Sequence, residues 1–211
     1  MILDFGSGNT CKNDEDYIAE MIDGLCLVDK TPESRKPIIK WQLFEEAGNN
    51  VPMTRDAFEF AYKYALRLRL KTTASVFDEA SLKLLLEYDV PFIKIANRPD
   101  LYDLIKKIPR GIPVVVSAND PSHYMYHICT KTSSDIVLGC VSEYPAKIED
   151  YEKAFSPETL TAGISDHTVG WELYKKYQPW NYECHYKLSD STGLDAGDFA
   201  RTPEDLREVL R

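Results

Sequence analysis

Thr72-Thr73-Ala74-Ser75-Val76-Phe77 leads into the segment Asp78 to Tyr88, and that leads into Phe92-Ile93-Lys94-Ile95-Ala96. The outer two runs are short, apolar and rich in β-branched or aromatic residues, which predicts strands. The middle run places Ala80, Leu84, Leu85 and Tyr88 at helical spacing, which predicts an amphipathic helix. Pro91 stands just before the second strand, where proline is tolerated. Strand, helix and strand in succession form a βαβ unit, and such units build parallel sheets.

The same unit repeats outward in both directions. Ile2–Gly6, Ile38–Leu43, Val114–Ser117, Ile136–Val141, Thr161–Ser165 and Tyr182–His185 join the first pair, giving eight strand candidates. Ala57–Leu70 carries Phe58, Ala61, Tyr62, Ala65, Leu66 and Leu68 at helical spacing, and Pro37 and Pro113 precede strands as Pro91 does. Eight alternating units predict one α/β domain over residues 1–211, a compact (β/α)8 TIM barrel. Such barrels typically use about 250 residues, so this one has short helices. Pro121–Lys131 is a poor helix, and Asn49–Thr54 is the loop with room to act as a lid.

Composition narrows the function. The chain has 211 residues, 44% hydrophobic, with a net charge of −9. That balance argues against a nucleic-acid surface. No run reaches the roughly 18 apolar residues of a membrane span, and the start of the chain fits no signal peptide. The five cysteines (Cys11, Cys26, Cys129, Cys140 and Cys184) are odd in number and lack zinc spacing. Reduced thiols in a cytoplasmic protein are the expectation.

In a barrel of this kind the chemistry lies at the C-terminal ends of the strands. Those ends carry Asp4, Lys40 with Gln42, Thr73 with Ser75, Lys94 with Asn97, Ser117 with Asn119, Ser142 with Tyr144, Ser165 with His167, and His185. Lysines with hydroxyl and amide donors suit a phosphate or carboxylate. Two imidazoles on neighbouring strand ends suit one divalent metal. Each residue also has a plainer reading. A strand-end Ser or Thr caps the next helix. Lys40 and Lys94 either enter the barrel mouth or snorkel outward. His123 and His127 have metal-pair spacing on a weakly helical segment, where surface histidines are the ordinary case, and Ser189–Asp198 reads as a loop.

Taken in order, these residues resemble the sialic acid synthases, the PEP-dependent N-acetylneuraminate, pseudaminic and legionaminic acid synthases. Ile39-Lys40-Trp41-Gln42 is similar to V-K-F-Q, and Thr73–Phe77 with Asp78 to S-T-P-F-D. Val90–Ile95 is similar to V-P-A-Y-K-I, and Val115-Val116-Ser117 to I-L-S. Cys140–Pro145 resembles C-T-S-E-Y-P, Gly163–Thr168 resembles G-x-S-D-H-T, and Glu183–Tyr186 resembles E-K-H-F. Gly193-Leu194-Asp195 resembles G-P-D, and Pro203–Leu206 resembles P-E-E-L.

The resemblance implies a transferase of carbohydrate biosynthesis that condenses phosphoenolpyruvate with an N-acyl amino sugar such as N-acetylmannosamine, releasing phosphate. It implies a divalent metal, Mn2+ or Mg2+, held by His167 and His185. By position, Lys40, Lys94, Ser117, Ser142 and Ser165 would hold PEP, with Thr73 and Asn97 beside them. Gln42, Tyr144 and Asp195 would face the sugar. Lys40, Lys94, His167, His185 and Asp195 form the implied catalytic set. The partners are then PEP and an aldose or amino sugar, with no nucleic acid or membrane, and a homodimer is compatible.

The departures are local. The family's E-I-G-x-N-H-x-G becomes Asp4-Phe5-Gly6-Ser7-Gly8-Asn9-Thr10-Cys11. Its K-I-x-S-G-E becomes Lys94–Pro99, with Asn97 for the Ser and Pro99 for the acid. The family's C-terminal antifreeze-like domain is not expected within these 211 residues. Two alternatives follow: a degenerate member that binds PEP or sugar with little turnover, and a Schiff-base aldolase using Lys94.

Overall fold

The computed structural model describes residues 1–46, 48–120 and 135–211. His123, His127, Cys129 and the weak helix Pro121–Lys131 lie outside the described residues. Eight parallel strands close into a barrel in chain order: β1 Ile2–Asp4, β2 Ile38–Leu43, β3 Lys71–Val76, β4 Ile93–Ile95, β5 Val114–Ala118, β6 Ile136–Cys140, β7 Gly163–Asp166 and β8 Asn181–His185. The pairing of β8 with β1 closes the ring, setting His185 beside Asp4, and Asp4 in turn beside Lys40 of β2. The compact barrel expected from the alternation is the one observed.

Two strand limits shift for identifiable reasons. Thr161 and Ala162, expected in a strand, end the helix Pro157–Ala162. Ser156 caps that helix by accepting from the Thr159 amide, and Pro157 fits its first turn. β1 stops at Asp4 rather than running to Gly6, because the Asp4 carboxylate accepts the Gly6 amide at 3.0 Å and Gly6 turns the chain at φ 75°. That positive φ is the region where glycine carries no Cβ penalty.

Alternation along the strands sorts the side chains into two cores. Outward residues such as Leu3, Ile39, Trp41, Ala74, Ile93, Val116 and Ile164 pack beneath the helices. The helix Arg55–Arg67, capped by Thr54, buries Ala57, Phe58, Ala61 and Ala65. The helix Glu79–Leu85 opens on a capping box between Asp78 and Ser81. A second, small cluster of Ile2, Phe92, Val115 and Leu138 plugs the barrel interior. The polar strand ends therefore stand on a dry floor.

Trp41 is fully buried, with its ring 5.1 Å from Phe5. Trp41→Ala should cost about 3–5 kcal/mol in urea unfolding. Trp41→Phe should cost less than the alanine change, because a ring remains against Phe5 and the indole N–H has no hydrogen-bond partner to lose. An alanine variant within about 1 kcal/mol of the parent would contradict this packing.

Candidate active site

A cavity of about 420 Å3 opens at the C-terminal ends of the strands. Its floor is a closed set of charges. Lys40 Nζ lies 2.5 Å from Asp4 Oδ2, 3.1 Å from Ser75 Oγ and 3.4 Å from Glu183 Oε1. Lys94 Nζ donates to Ser117 Oγ at 2.7 Å and lies 3.4 Å from the same Glu183 oxygen. Ser165 Oγ donates to that oxygen as well, at 3.2 Å. Glu183 Oε2 is buried with no partner. Both lysines therefore enter the mouth and neither snorkels. Burial alone would discharge them, and Lys94 is indeed lowered, by burial and then by the nearby Lys40 charge. Lys40 is instead raised, because Asp4 and Glu183 outweigh its burial. Burial likewise opposes ionisation of Asp4 and Glu183, yet the lysines hold both below the usual carboxylate range.

The histidine side is fixed from behind. The His167 and His185 rings sit 5.4 Å apart, with Phe199 5.0 Å from His185 and Tyr144 4.1 Å from His167. His167 Nδ1 is 2.7 Å from the Val141 carbonyl. A carbonyl only accepts, so Nδ1 carries the proton and Nε2 keeps its lone pair. Burial, with the neighbouring His185, lowers His167 to about 4. His185 Nδ1 has no hydrogen-bond partner and lies 3.7 Å from Asp4 Oδ2 and 3.4 Å from Asp195 Oδ1. Behind both rings, the buried Arg201 donates to the Thr168 carbonyl at 2.9 Å and pairs with Asp166 at 3.4 Å. The Arg201 backbone amide donates to the His185 carbonyl at 2.7 Å.

The remaining wall is polar. Gln42 donates to Asp4 Oδ2 at 2.9 Å and to Asp195 Oδ1 at 2.8 Å. Asp195 lies on the short turn Leu194–Ala196, inside what reads from sequence as a plain loop. Its burial, and then the Asp4 charge, push its carboxyl up to about 7. Asn97 donates to Ser142 at 2.9 Å and accepts the Asn119 amide at 3.1 Å. Arg98 also lines the cavity, as does Asn50.

Of the expected site residues, Lys40, Gln42, Lys94, Asn97, Ser117, Ser142, Tyr144, Ser165, His167, His185 and Asp195 all line this one cavity. Thr73 does not. It is fully buried and its hydroxyl is bonded to the Phe92 carbonyl, level with the apolar plug; Ser75, two residues on, takes the place at the mouth. Glu143 is exposed and outside the cavity. Sequence reading assigned no role to Glu183, the hub of the floor. The available signal was period two on β8: Glu183 and His185 must face the same way, and His185 faces in.

Asp195 gives a pH test. Its raised carboxyl means that ionisation costs stability, and the cost accumulates as pH rises from the ordinary carboxylate range through about 7. With a chelator present, Asp195→Asn should therefore stabilise the protein by about 1–3 kcal/mol more at pH 8 than at pH 5 in denaturant titrations. An equal effect at both pH values would show that the carboxyl is not perturbed.

Residues 29–208 match the family model described as the NeuB family. The chain is 33% identical over 144 residues to the pseudaminic acid synthase of Helicobacter pylori, covering 62% of this chain and 41% of that protein. It is 29% identical over 145 residues to the mouse N-acetylneuraminate-9-phosphate synthase, covering 60% and 39%. It thus spans well under half of the length of these curated relatives. Among solved structures, the N-acetylneuraminic acid synthetase of Leptospira borgpetersenii, crystallised with citrate, superposes with a TM-score of 0.75 at 21% identity, over 99% of this chain and 80% of that one. A truncated 3-deoxy-D-arabino-heptulosonate 7-phosphate synthase from Thermotoga maritima superposes at 0.67 with 11% identity, over 100% and 83%. These two show the shared barrel. The matched family model covers most of the chain, and the chain belongs to the NeuB family.

Proposed function

We propose that this domain condenses phosphoenolpyruvate with the open-chain form of an N-acyl amino sugar, N-acetylmannosamine or a relative, and releases phosphate. The observation that carries the reading is the division of one cavity into two chemically distinct sides. Buried Lys40 and Lys94 stand among Ser75, Ser117, Ser142 and Ser165 on one side. His167, His185, Asp195 and Gln42 stand on the other, with Asp4 between them, bonded to Lys40 and to Gln42. The first suits an anion with several acceptor oxygens. The second suits a polarised oxygen and a proton.

In this reading Lys94, steadied by Ser117, and Lys40 hold the PEP phosphate and carboxylate. The serines supply neutral donors. C3 of the enol attacks the aldehyde carbon, the aldehyde oxygen takes a proton, water adds at C2, and the C2–O bond to phosphate breaks. With no cation bound, Asp195 is raised to about 7 and can give or take a proton near neutral pH; as a cation ligand it would stay ionised. Gln42 ties it to Asp4, which fixes its direction. The loop after β4 supplies no acid of its own, since Pro99 occupies the place of the family carboxylate and Asp100 is exposed and paired with Arg98.

The donor set fits a divalent cation. Asp4, His185 and Asp195 each place a ligand atom within 4.8 Å of the others. The buried His185 Nδ1 is unpartnered, and His167 keeps a lone pair on Nε2. Such an ion, held by these residues, would supply Lewis-acid polarisation of the aldehyde oxygen. A Schiff-base reading rests on the lowered pKa of Lys94; borohydride trapping with pyruvate separates it from the first.

The deciding measurement is phosphate release from PEP with Mn2+ across a panel of aldoses. Lys94→Ala should abolish detectable release and weaken PEP binding about 10–100-fold in calorimetry. His185→Ala should remove Mn2+ binding followed by electron paramagnetic resonance. A carboxylate usually contributes about 10²–10⁴ in rate, so turnover well below about 1 s⁻¹ is expected with Pro99 in place. PEP binding without release under any acceptor would leave a binding protein in place of a synthase.

A further inference from the structure

The floor of the cavity neutralises itself. Lys40 pairs with Asp4 at 2.5 Å and with Glu183 at 3.4 Å, and Lys94 pairs with the same Glu183 at 3.4 Å. A phosphate monoester brings about −1.5 to −2 charges at neutral pH. Among the described lining residues, the cation outside this closed set is Arg98.

Arg98 is anchored at its backbone and open to solvent at its tip. Its amide donates to the Ala96 carbonyl at 2.7 Å, and its carbonyl accepts the Leu101 amide at 3.0 Å. Asn97 before it is pinned to Ser142 and Asn119, and Pro99 after it restricts the chain. Among the described residues its guanidinium pairs with Asp100, two residues along on the same loop. The two side chains are 53% and 59% exposed, and an ion pair so open to water is worth little and is readily exchanged. A phosphate offers the same fork a bidentate, doubly charged partner. Compared with the K-I-x-S-G-E pattern noted above, this loop has lost a carboxylate at Pro99 and gained a guanidinium at Arg98. Both changes make the mouth above β4 more attractive to an anion.

We infer that Arg98 is a phosphate-binding residue of this cavity, exchanging Asp100 for the ligand's phosphate group. The inference deepens the synthase reading and rests on it for the identity of the cavity. Phosphate monoester chemistry reaches the site from two sources, PEP itself or an acceptor sugar that carries a phosphate.

Calorimetric titration of the parent chain, Arg98→Ala, Arg98→Lys and Asp100→Asn decides between them. The probes are PEP, N-acetylmannosamine 6-phosphate, inorganic phosphate and unphosphorylated N-acetylmannosamine. Arg98→Ala should weaken at least one phosphate-bearing probe by about 10–100-fold and leave the unphosphorylated sugar unchanged. Arg98→Lys should recover only part, since an ammonium lacks the fork. Asp100→Asn should tighten the same probe by releasing the guanidinium. Loss confined to PEP assigns the site to the enol phosphate, and loss confined to the sugar phosphate assigns it to the acceptor. Equal binding of every phosphate probe by the parent and Arg98→Ala overturns the inference, as does a parent chain that binds none of them. Arg98-dependent phosphate binding without phosphate release from PEP would instead overturn the synthase reading and leave this site standing.

Discussion

Glu183 is the point on which the structure turns. One carboxylate oxygen is shared by Lys40, Lys94 and Ser165, so strands β2, β4, β7 and β8 meet at a single buried charge. Asp4 brings in β1 through Lys40. Buried ions are tolerated only when paired, and removing one partner typically costs about 3–5 kcal/mol. This cluster can form only if β8 returns to β1, because that closure is what carries Glu183 to Lys40. Barrel closure and the charged floor are thus one constraint. The apolar plug of Ile2, Phe92, Val115 and Leu138 beneath it keeps the cluster away from water on the far side.

Much of this was legible in the chain. β-branched runs alternating with helical spacing, and prolines placed before strands, identify the barrel. The facing of each side chain then follows, because a strand's side chains alternate. His185 facing in requires Glu183 to face in, and Lys40 facing in requires Gln42 to do so. Thr73 and Ser75 show where the reading stops. Both face the barrel interior, but depth along the strand is set by the stagger between neighbours, which no single strand encodes. β3 is staggered so that Thr73 lies against the Phe92 carbonyl and Ser75 reaches Lys40.

The loops were less legible for another reason. Asp195 lies in a stretch of Asp, Ser and Gly that reads as solvent-exposed, and only the fold brings it to Gln42 and His185. Its raised carboxyl is a property of enclosure, not of sequence. Local preference did decide the end of the helix Pro157–Ala162, where the Ser156 cap and Pro157 outweigh the β-branched Thr161.

Arg201 connects the two histidine strands from outside the cavity. Its guanidinium holds Thr168 and Asp166 beside His167, its amide holds the carbonyl of His185, and it stacks 4.8 Å from the Trp171 ring. On that side of the barrel, little conformational freedom is left for an incoming molecule to remove. The loop after β4 ends instead in an exchangeable surface pair. The entropy of recognition is therefore concentrated on one edge of the mouth, and that edge is where sequence change can alter what is bound while leaving the rigid side intact.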